Sequence, residues 1–258
     1  MGMRTTPLLA TGLALGLAIG ATDALAQNRL TPEETAAGWK LLFDGSTLAG
    51  WRGLGYDVVP TAHWMVQDGA IRKIPSGQVQ RQPDGQPSFG GDLMTIGVYR
   101  DFDFAFEWKI SPAGNGGVKY NVSEELSRSI PPDHAAKGFE YQVLDDDRHP
   151  DGKGPNHRAA GLYDLIAPQG AELKPVGEWN TARIVLRGNH GEHWLNGKKV
   201  VEYELGTPAM DSALAKSKYR VISGFADRRA GHIVLQDHTD EVWYRNLKIR
   251  DLSPAGSR

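Results

Sequence analysis

The stretch Phe102-Asp103-Phe104-Ala105-Phe106-Glu107-Trp108-Lys109-Ile110 alternates without a break, so an extended backbone places Phe102, Phe104, Phe106, Trp108 and Ile110 on one face. Such a strand presses that face onto a core and leaves the other to solvent, which commits this part of the chain to a half-solvated sheet. The same period of two returns from Thr181 to Arg187 and from Val242 to Arg250. His193-Trp194-Leu195 leads through Asn196-Gly197 into Lys198 to Glu204, the two-residue signal for a β-hairpin. Helical periodicity is scarce. Thr31-Pro32-Glu33-Glu34-Thr35 supplies an N-cap, a first-turn proline and acidic residues at the positive end of one short helix before Trp39. Many strands with long connections predict an all-β chain of two packed antiparallel sheets, the last strand returning beside the amino-terminal segment.

Two connections are long and polar: Pro75 to Gly91, and Asp146 to Ala160, which holds His149, Asp151, Lys153 and His157. Connections of that length in a compact domain are functional or disordered. At the amino terminus Arg4 precedes an apolar run from Leu8 to Ala21, and Ala24-Leu25-Ala26 forms a small-x-small cleavage box before Gln27. Residues 1–26 are therefore expected to be a signal peptide that is removed, since the run is short for an uncleaved anchor. Residues 27–258 are expected to form a single domain, periplasmic or secreted, with no membrane contact once the signal is gone. The chain has no cysteine, which excludes disulfides and thiolate metal sites, so stability must come from a packed core. A formal net charge of -2 with both signs interspersed argues against nucleic acid or an anionic membrane surface as partner.

Gly138-Phe139-Glu140-Tyr141-Gln142-Val143-Leu144-Asp145-Asp146 carries a different signal, because alternation puts Glu140 and Gln142 on one face and Phe139, Tyr141 and Val143 on the other. Val118-Lys119-Tyr120 sets a lysine between apolar neighbours, and Leu235-Gln236-Asp237-His238 puts Gln236 and His238 on a single face. Where those faces meet, the protein carries a polar site on a sheet.

Seven pieces, in order, resemble the DUF1080 family, also called the 3-keto-disaccharide hydrolase domain. They are Leu42-Phe43-Asp44-Gly45-Ser46-Thr47-Leu48-Ala49-Gly50-Trp51, Asn115-Gly116-Gly117-Val118-Lys119-Tyr120, Glu140-Tyr141-Gln142-Val143-Leu144-Asp145, Gly161-Leu162-Tyr163-Asp164-Leu165, Gly177-Glu178-Trp179-Asn180, Asn196-Gly197, and Leu235-Gln236-Asp237-His238 followed by Arg245-Asn246-Leu247-Lys248-Ile249. The resemblance runs from about Gly38 to Leu252. It implies a concanavalin A-like jelly-roll sandwich, action on glycosides whose sugar is oxidised at C3, and an exported setting beside a separate oxidoreductase that performs that oxidation. Where many members have Asn-Ser-Gly this chain has Asn115-Gly116-Gly117, a change expected to keep a tight turn.

On such a substrate the ketone at C3 acidifies the C2 proton. A base removes that proton, the enolate expels the oxygen at C1, and water addition completes a net hydrolysis. Glu140 is the expected base, because partial burial raises a carboxyl's pKa; its alternative is an ion pair with Lys119 across neighbouring strands. Lys119 is expected to hold the enolate oxygen, or else to be an ordinary solvent-facing lysine. His238 is the expected acid or base, with Gln236 and Gln142 orienting substrate hydroxyls; a histidine capping the turn before Thr239-Asp240 is the other reading.

Four more residues are candidates for substrate contact. His157 lies beside Arg158 in the long loop, where a merely solvated histidine is the alternative. Asp145 faces opposite to Glu140 by alternation and either serves the strand mouth or satisfies loop amides. Arg245 groups by alternation with Trp243, Leu247 and Ile249, and is read either as a buried ion pair or as a sugar ligand. Tyr163, like Trp51, either stacks on a sugar ring or fills the core. Glu140, Asp145, His157 and His238 together offer ligands for a divalent metal ion, although no His-x-x-x-His spacing supports that set. A non-catalytic, lectin-like carbohydrate-binding module is the alternative function, since fold does not settle function. A conventional retaining glucanase is disfavoured, because no strand carries a Glu-x-Asp-x-x-Glu cluster.

Overall fold

The computed structural model describes residues 27–75, 91–131, 135–238 and 240–253. The expected signal peptide and residues 76–90 of the first long connection lie outside the described residues. The elements run α1 (Pro32–Ala36), β1 (Trp39–Leu41), β2 (Trp51–Gly53), β3 (Trp64–Gln67), β4 (Ala70–Lys73), β5 (Leu93–Thr95), β6 (Phe102–Ile110) and β7 (Asn115–Val122). There follow α2 (Glu124–Ser129), β8 (Phe139–Leu144), β9 (Asn180–Arg187), β10 (His190–Leu195), β11 (Lys198–Glu204), α3 (Pro208–Lys216), β12 (His232–Leu235) and β13 (Val242–Asp251).

Two antiparallel sheets pack as a jelly-roll sandwich. The larger has eight strands, in the path β11-β10-β9-β6-β13-β4-β3 with β1 on β13; the smaller has five, in the order β2-β5-β12-β7-β8. β6 lies inside the larger sheet, as its alternation demands, and its five large apolar side chains are each at most 3% exposed. They meet the inner face of the smaller sheet edge to face, Phe102 on Tyr120 at 6.4 Å and Phe106 on Tyr141 at 5.4 Å. Burying each such side chain stabilises the fold by roughly 2 kcal/mol. Thr31 and Glu34 close a reciprocal capping box on α1. Asn196 and Gly197, at φ 48° and 83°, turn β10 into β11. Trp39 pairs with Arg250, so the last strand does return beside the first.

β13 departs from simple alternation. Asn246 sits at φ 54° where the pairing with β6 slips between Arg245 and Lys248, and this bulge inverts the parity of the strand. Val242, Tyr244, Leu247 and Ile249 all enter the core, while Trp243 and Arg245 face outward. The expected grouping of Arg245 with Leu247 and Ile249 is thereby corrected. Arg245 donates from Nε to Glu107 Oε2 at 2.7 Å and lies 4.1 Å above the Trp179 ring, on the outer face of the larger sheet.

Buried polar groups link the two sheets at several points. Lys73 of β4 reaches Asp237, just beyond β12, at 2.8 Å, and His63 Nδ1 contacts the other carboxylate oxygen of Asp237. His193 of β10 accepts at Nε2 from the Tyr120 hydroxyl of β7 at 2.8 Å and donates from Nδ1 to the Ala160 carbonyl at 3.0 Å.

Candidate active site

β7 lies between β12 and β8, and the pairing register builds a row of three residues across them. Gly117 stands opposite Gln142, and its carbonyl accepts from the Gln236 amide at 2.9 Å. One step along, Lys119 stands opposite Glu140. Because Phe139, Tyr141 and Val143 fill the core, Glu140 and Gln142 project from the outer face of the smaller sheet, as alternation requires. The middle of the row has no side chain, and the hollow it leaves receives the Glu140 carboxylate: a Cβ on Gly117 would stand 2.5 Å from Glu140 Oε1. Gly116 faces the opposite way, where a Cβ would meet Val242 at 2.8 Å. Asn115-Gly116-Gly117 is thus the start of a strand rather than the tight turn expected, and close approach on both faces calls for the glycines.

The Glu140 side chain is buried. Oriented by its neighbours, the Gln142 amide nitrogen donates to Glu140 Oε1 at 3.1 Å and to the Gly116 carbonyl at 2.9 Å. Lys119 Nζ lies 3.7 Å from Glu140 Oε2 and donates to the Ala136 carbonyl at 3.2 Å. Burial pushes the Glu140 carboxyl above its ordinary pKa, with Lys119 and Lys218 pulling against that rise. Deeper still, buried Asp92 accepts from the amides of Ala136 and Asp237, each at 2.8 Å. Its carboxyl is raised by burial and opposed by Lys119, so one ammonium group serves two buried carboxyls.

The site is roofed by the segment 160–166, which runs along the outer edge of β8. Ala160 donates to the Gln142 carbonyl at 2.8 Å, Gln142 to Gly161 at 3.3 Å, and Tyr163 to Glu140 at 3.0 Å. Tyr163 donates its hydroxyl to Asp151 Oδ2 at 2.9 Å. Behind it His157 stacks at 4.6 Å and bridges Asp151 at 3.1 Å and Asp164 at 3.0 Å. Asp164 Oδ2 accepts from the Lys218 amide at 2.6 Å, which sets the Lys218 ammonium 4.5 Å above the Tyr163 ring. Asn115, Glu140, Gln142, Tyr163, Lys218, Gln236 and His238 line the resulting polar slot of about 20 Å³. The His238 ring is 6.4 Å from that of His149. Among the described residues, no hydrogen-bond donor reaches the buried Gln236 Oε1. Leaving such an acceptor unmatched costs about 1–3 kcal/mol, and a ligand hydroxyl would recover it.

A model of the 3-keto-alpha-glucoside-1,2-lyase-like domain matches residues 38–250. The chain belongs to this family. It is 36% identical over 235 residues to a Bacteroides thetaiotaomicron protein named 3-keto-disaccharide hydrolase, covering 84% of this chain and 79% of that one. A solved structure of a proposed glycosyl hydrolase from Parabacteroides distasonis ATCC 8503 superposes with a TM-score of 0.75 at 30% identity, over 88% of this chain and 100% of the other. A second from the same organism gives 0.62 at 26% identity, over 83% and 99%.

Within this lyase-like domain the structure sorts the nominated residues. Glu140, Gln142, Tyr163, Gln236 and His238 line the slot, and Lys119 backs Glu140. Three nominations are corrected. His157 stands behind Tyr163 and positions it. Asp145 accepts from the Ala113 amide at 2.7 Å and pairs with Arg148 at 3.2 Å, beside a different cavity. Burial pushes the Asp145 carboxyl up, but the Ala113 amide and Arg148 outweigh it and hold it below the ordinary value. Arg245 lies on the other sheet. The four residues nominated for a metal ion therefore do not assemble: Glu140 and His238 line the slot, and Asp145 and His157 do not. Trp51 is a core residue whose indole donates to the Leu42 carbonyl at 2.6 Å. Sequence reasoning misses Lys218, which no strand period marks, and Asn115, whose Asn-Gly-Gly motif predicts a turn rather than a strand.

Proposed function

We propose that this chain cleaves 3-keto-glycosides, Glu140 serving as the base. Family membership and the identity to a protein named 3-keto-disaccharide hydrolase support a glycoside hydrolase. The observation that carries the mechanism is a buried carboxyl of raised basicity in the wall of a slot that also presents an unmatched acceptor. The slot has room for about one hydroxyl-sized group, so the sugar ring lies over it with its C2 hydrogen toward Glu140. Glu140 takes the C2 proton, and the electron pair moves onto the C3 oxygen. Lys218 carries the ammonium best placed to meet that oxygen, since Lys119 lies behind Glu140. The enolate then returns its electrons and breaks the C1–oxygen bond, His238 protonates the departing oxygen, and water adds to the unsaturated sugar to give net hydrolysis. A 3-keto substrate presupposes a separate oxidoreductase acting at C3, and the segment from Arg4 to Ala26 supports a periplasmic or secreted setting.

The test is aglycone release from a 3-keto-glycoside and from its unoxidised parent, with and without chelator. Release from the ketone alone is expected, and Glu140→Gln should lower kcat by about 10²–10⁴ while sugar binding persists. Binding of both sugars with release from neither would replace this reading by a carbohydrate-binding module. The chelator arm reads whether a divalent ion takes part.

A further inference from the structure

Gln236 takes no part in the proton transfers proposed above, yet its side chain is built into the same hollow as the base. It is 2% exposed and lines the slot, and its side-chain oxygen is buried with no donor among the described residues. Two donors of the slot are spent elsewhere: the Gln142 amide nitrogen on Glu140 and the Gly116 carbonyl, and the Tyr163 hydroxyl on Asp151. Gly117 shows where the unmatched oxygen points. A Cβ there would stand 2.5 Å from Glu140 Oε1 and 3.1 Å from Gln236 Oε1. The carboxylate of β8 and the amide oxygen that follows β12 therefore face one space from opposite sides of β7.

An acceptor in that position asks for a donor on the substrate. Of the three sugar carbons that react, C1 bears a glycosidic oxygen and C3 a ketone oxygen, and both only accept. C2 alone carries a hydroxyl, and C2 is the carbon whose hydrogen Glu140 removes. Resting on the function proposed above, we propose that Gln236 reads the C2 hydroxyl and restricts the enzyme to 3-keto-glycosides in which that hydroxyl is free. A sugar linked, alkylated or acetamido-substituted at C2 is too large for a slot of about 20 Å³. A 2-deoxy sugar fits, but it covers the slot with the acceptor still unmatched. The refusal belongs to the protein and not to the chemistry, because a 2-deoxy-3-keto-glycoside keeps acidic hydrogens at C2 and a leaving group at C1.

The experiment compares three 3-keto-glucosides that share a 4-nitrophenyl aglycone: the unmodified sugar, its 2-deoxy form and its 4-deoxy form. Each kcat/KM is divided by the rate of uncatalysed elimination in the same buffer, so that intrinsic reactivity cancels. The 2-deoxy substrate is expected to fall by about 10²-fold or more, and the 4-deoxy substrate by less than about tenfold. Gln236→Met, apolar and of similar length, should shrink the 2-deoxy penalty by about tenfold or more. That penalty is a ratio within one protein sample, so it does not depend on how much of the variant is folded. A wild-type penalty near one overturns the proposal. So does a penalty that Gln236→Met leaves unchanged, or a Gln236→Met effect that falls on the 4-deoxy substrate instead. No turnover of the unmodified 3-keto-glucoside overturns the function itself and this inference with it.

Discussion

At the scale of single residues, the site depends on a side chain that is missing. Gly117 opens the space that Glu140 occupies, so Gly117→Ala should lower kcat/KM by about 10²-fold, a Cβ 2.5 Å from Oε1 forcing the carboxylate aside. The cost in stability should be about 1–3 kcal/mol, read from urea midpoints, which separates displacement of the base from unfolding. Lys119 acts differently. Its ammonium counters the burial that raises the Glu140 pKa, so Lys119→Met should raise that pKa further. The acid limb of the kcat/KM profile then moves to higher pH; a limb that stays in place would mean that Glu140 is not the group that titrates. Glu140 and Gln142 were legible because their strand alternates strictly. Lys218 was not, since the Asp164 carboxylate and the Tyr163 ring, distant in sequence, bring this first residue of a short 3-10 helix to the slot.

At the scale of elements, period two located β6, β8, β9 and β13, and Asn196-Gly197 located the hairpin. It failed at one residue of β13. Asn246 at positive φ adds one position to the strand, and no spacing in the sequence announces it. Asn246 also exchanges bonds with Asn28, accepting from the Asn28 amide at 2.6 Å and donating to its side-chain oxygen at 2.8 Å, which pins the amino-terminal segment. Asn246→Val should therefore destabilise by about 2 kcal/mol or more, from the left-handed backbone and the lost bonds together. It should leave kcat per folded molecule unchanged, because the bulge lies on the sheet that does not carry the slot. In the long connection from Asp146 to Ala160, His157 and Asp151 set Tyr163, and His157 also holds Asp164, the carboxylate that fixes Lys218.

At the scale of the whole molecule, the two sheets are joined across a largely apolar interior by a few polar groups, and one of them ties stability to pH. Burial pushes the His193 imidazole down from an ordinary 6.5 to about 4. Below pH 6.5 the unfolded chain takes up a proton that the folded chain refuses, so stability falls as pH drops from about 6.5 to 4. The loss from this group is about 3 kcal/mol. Urea unfolding at pH 7 and pH 4 should show that loss, reduced in His193→Gln. The Asp237 carboxyl works in the same direction at lower pH: burial pushes it up, but His63 and Lys73 outweigh burial and hold it below the ordinary value. Truncating Asp237 to alanine would remove the carboxylate that faces the buried Lys73 ammonium and should cost about 3–5 kcal/mol, seen as a lower Tm.

The placement of β8 at the rim of its sheet has a consequence for the molecule in company. A terminal strand with bare amides and carbonyls invites another chain to add to it, and β8 is the strand that carries Glu140. The segment 160–166 already occupies that rim, bonded to Glu140 and Gln142 through their backbones. The same few residues that roof the reaction thus deny the rim to a neighbour. A change that loosens them should be noticed first as aggregation at high concentration, before any shift in chemistry is measured.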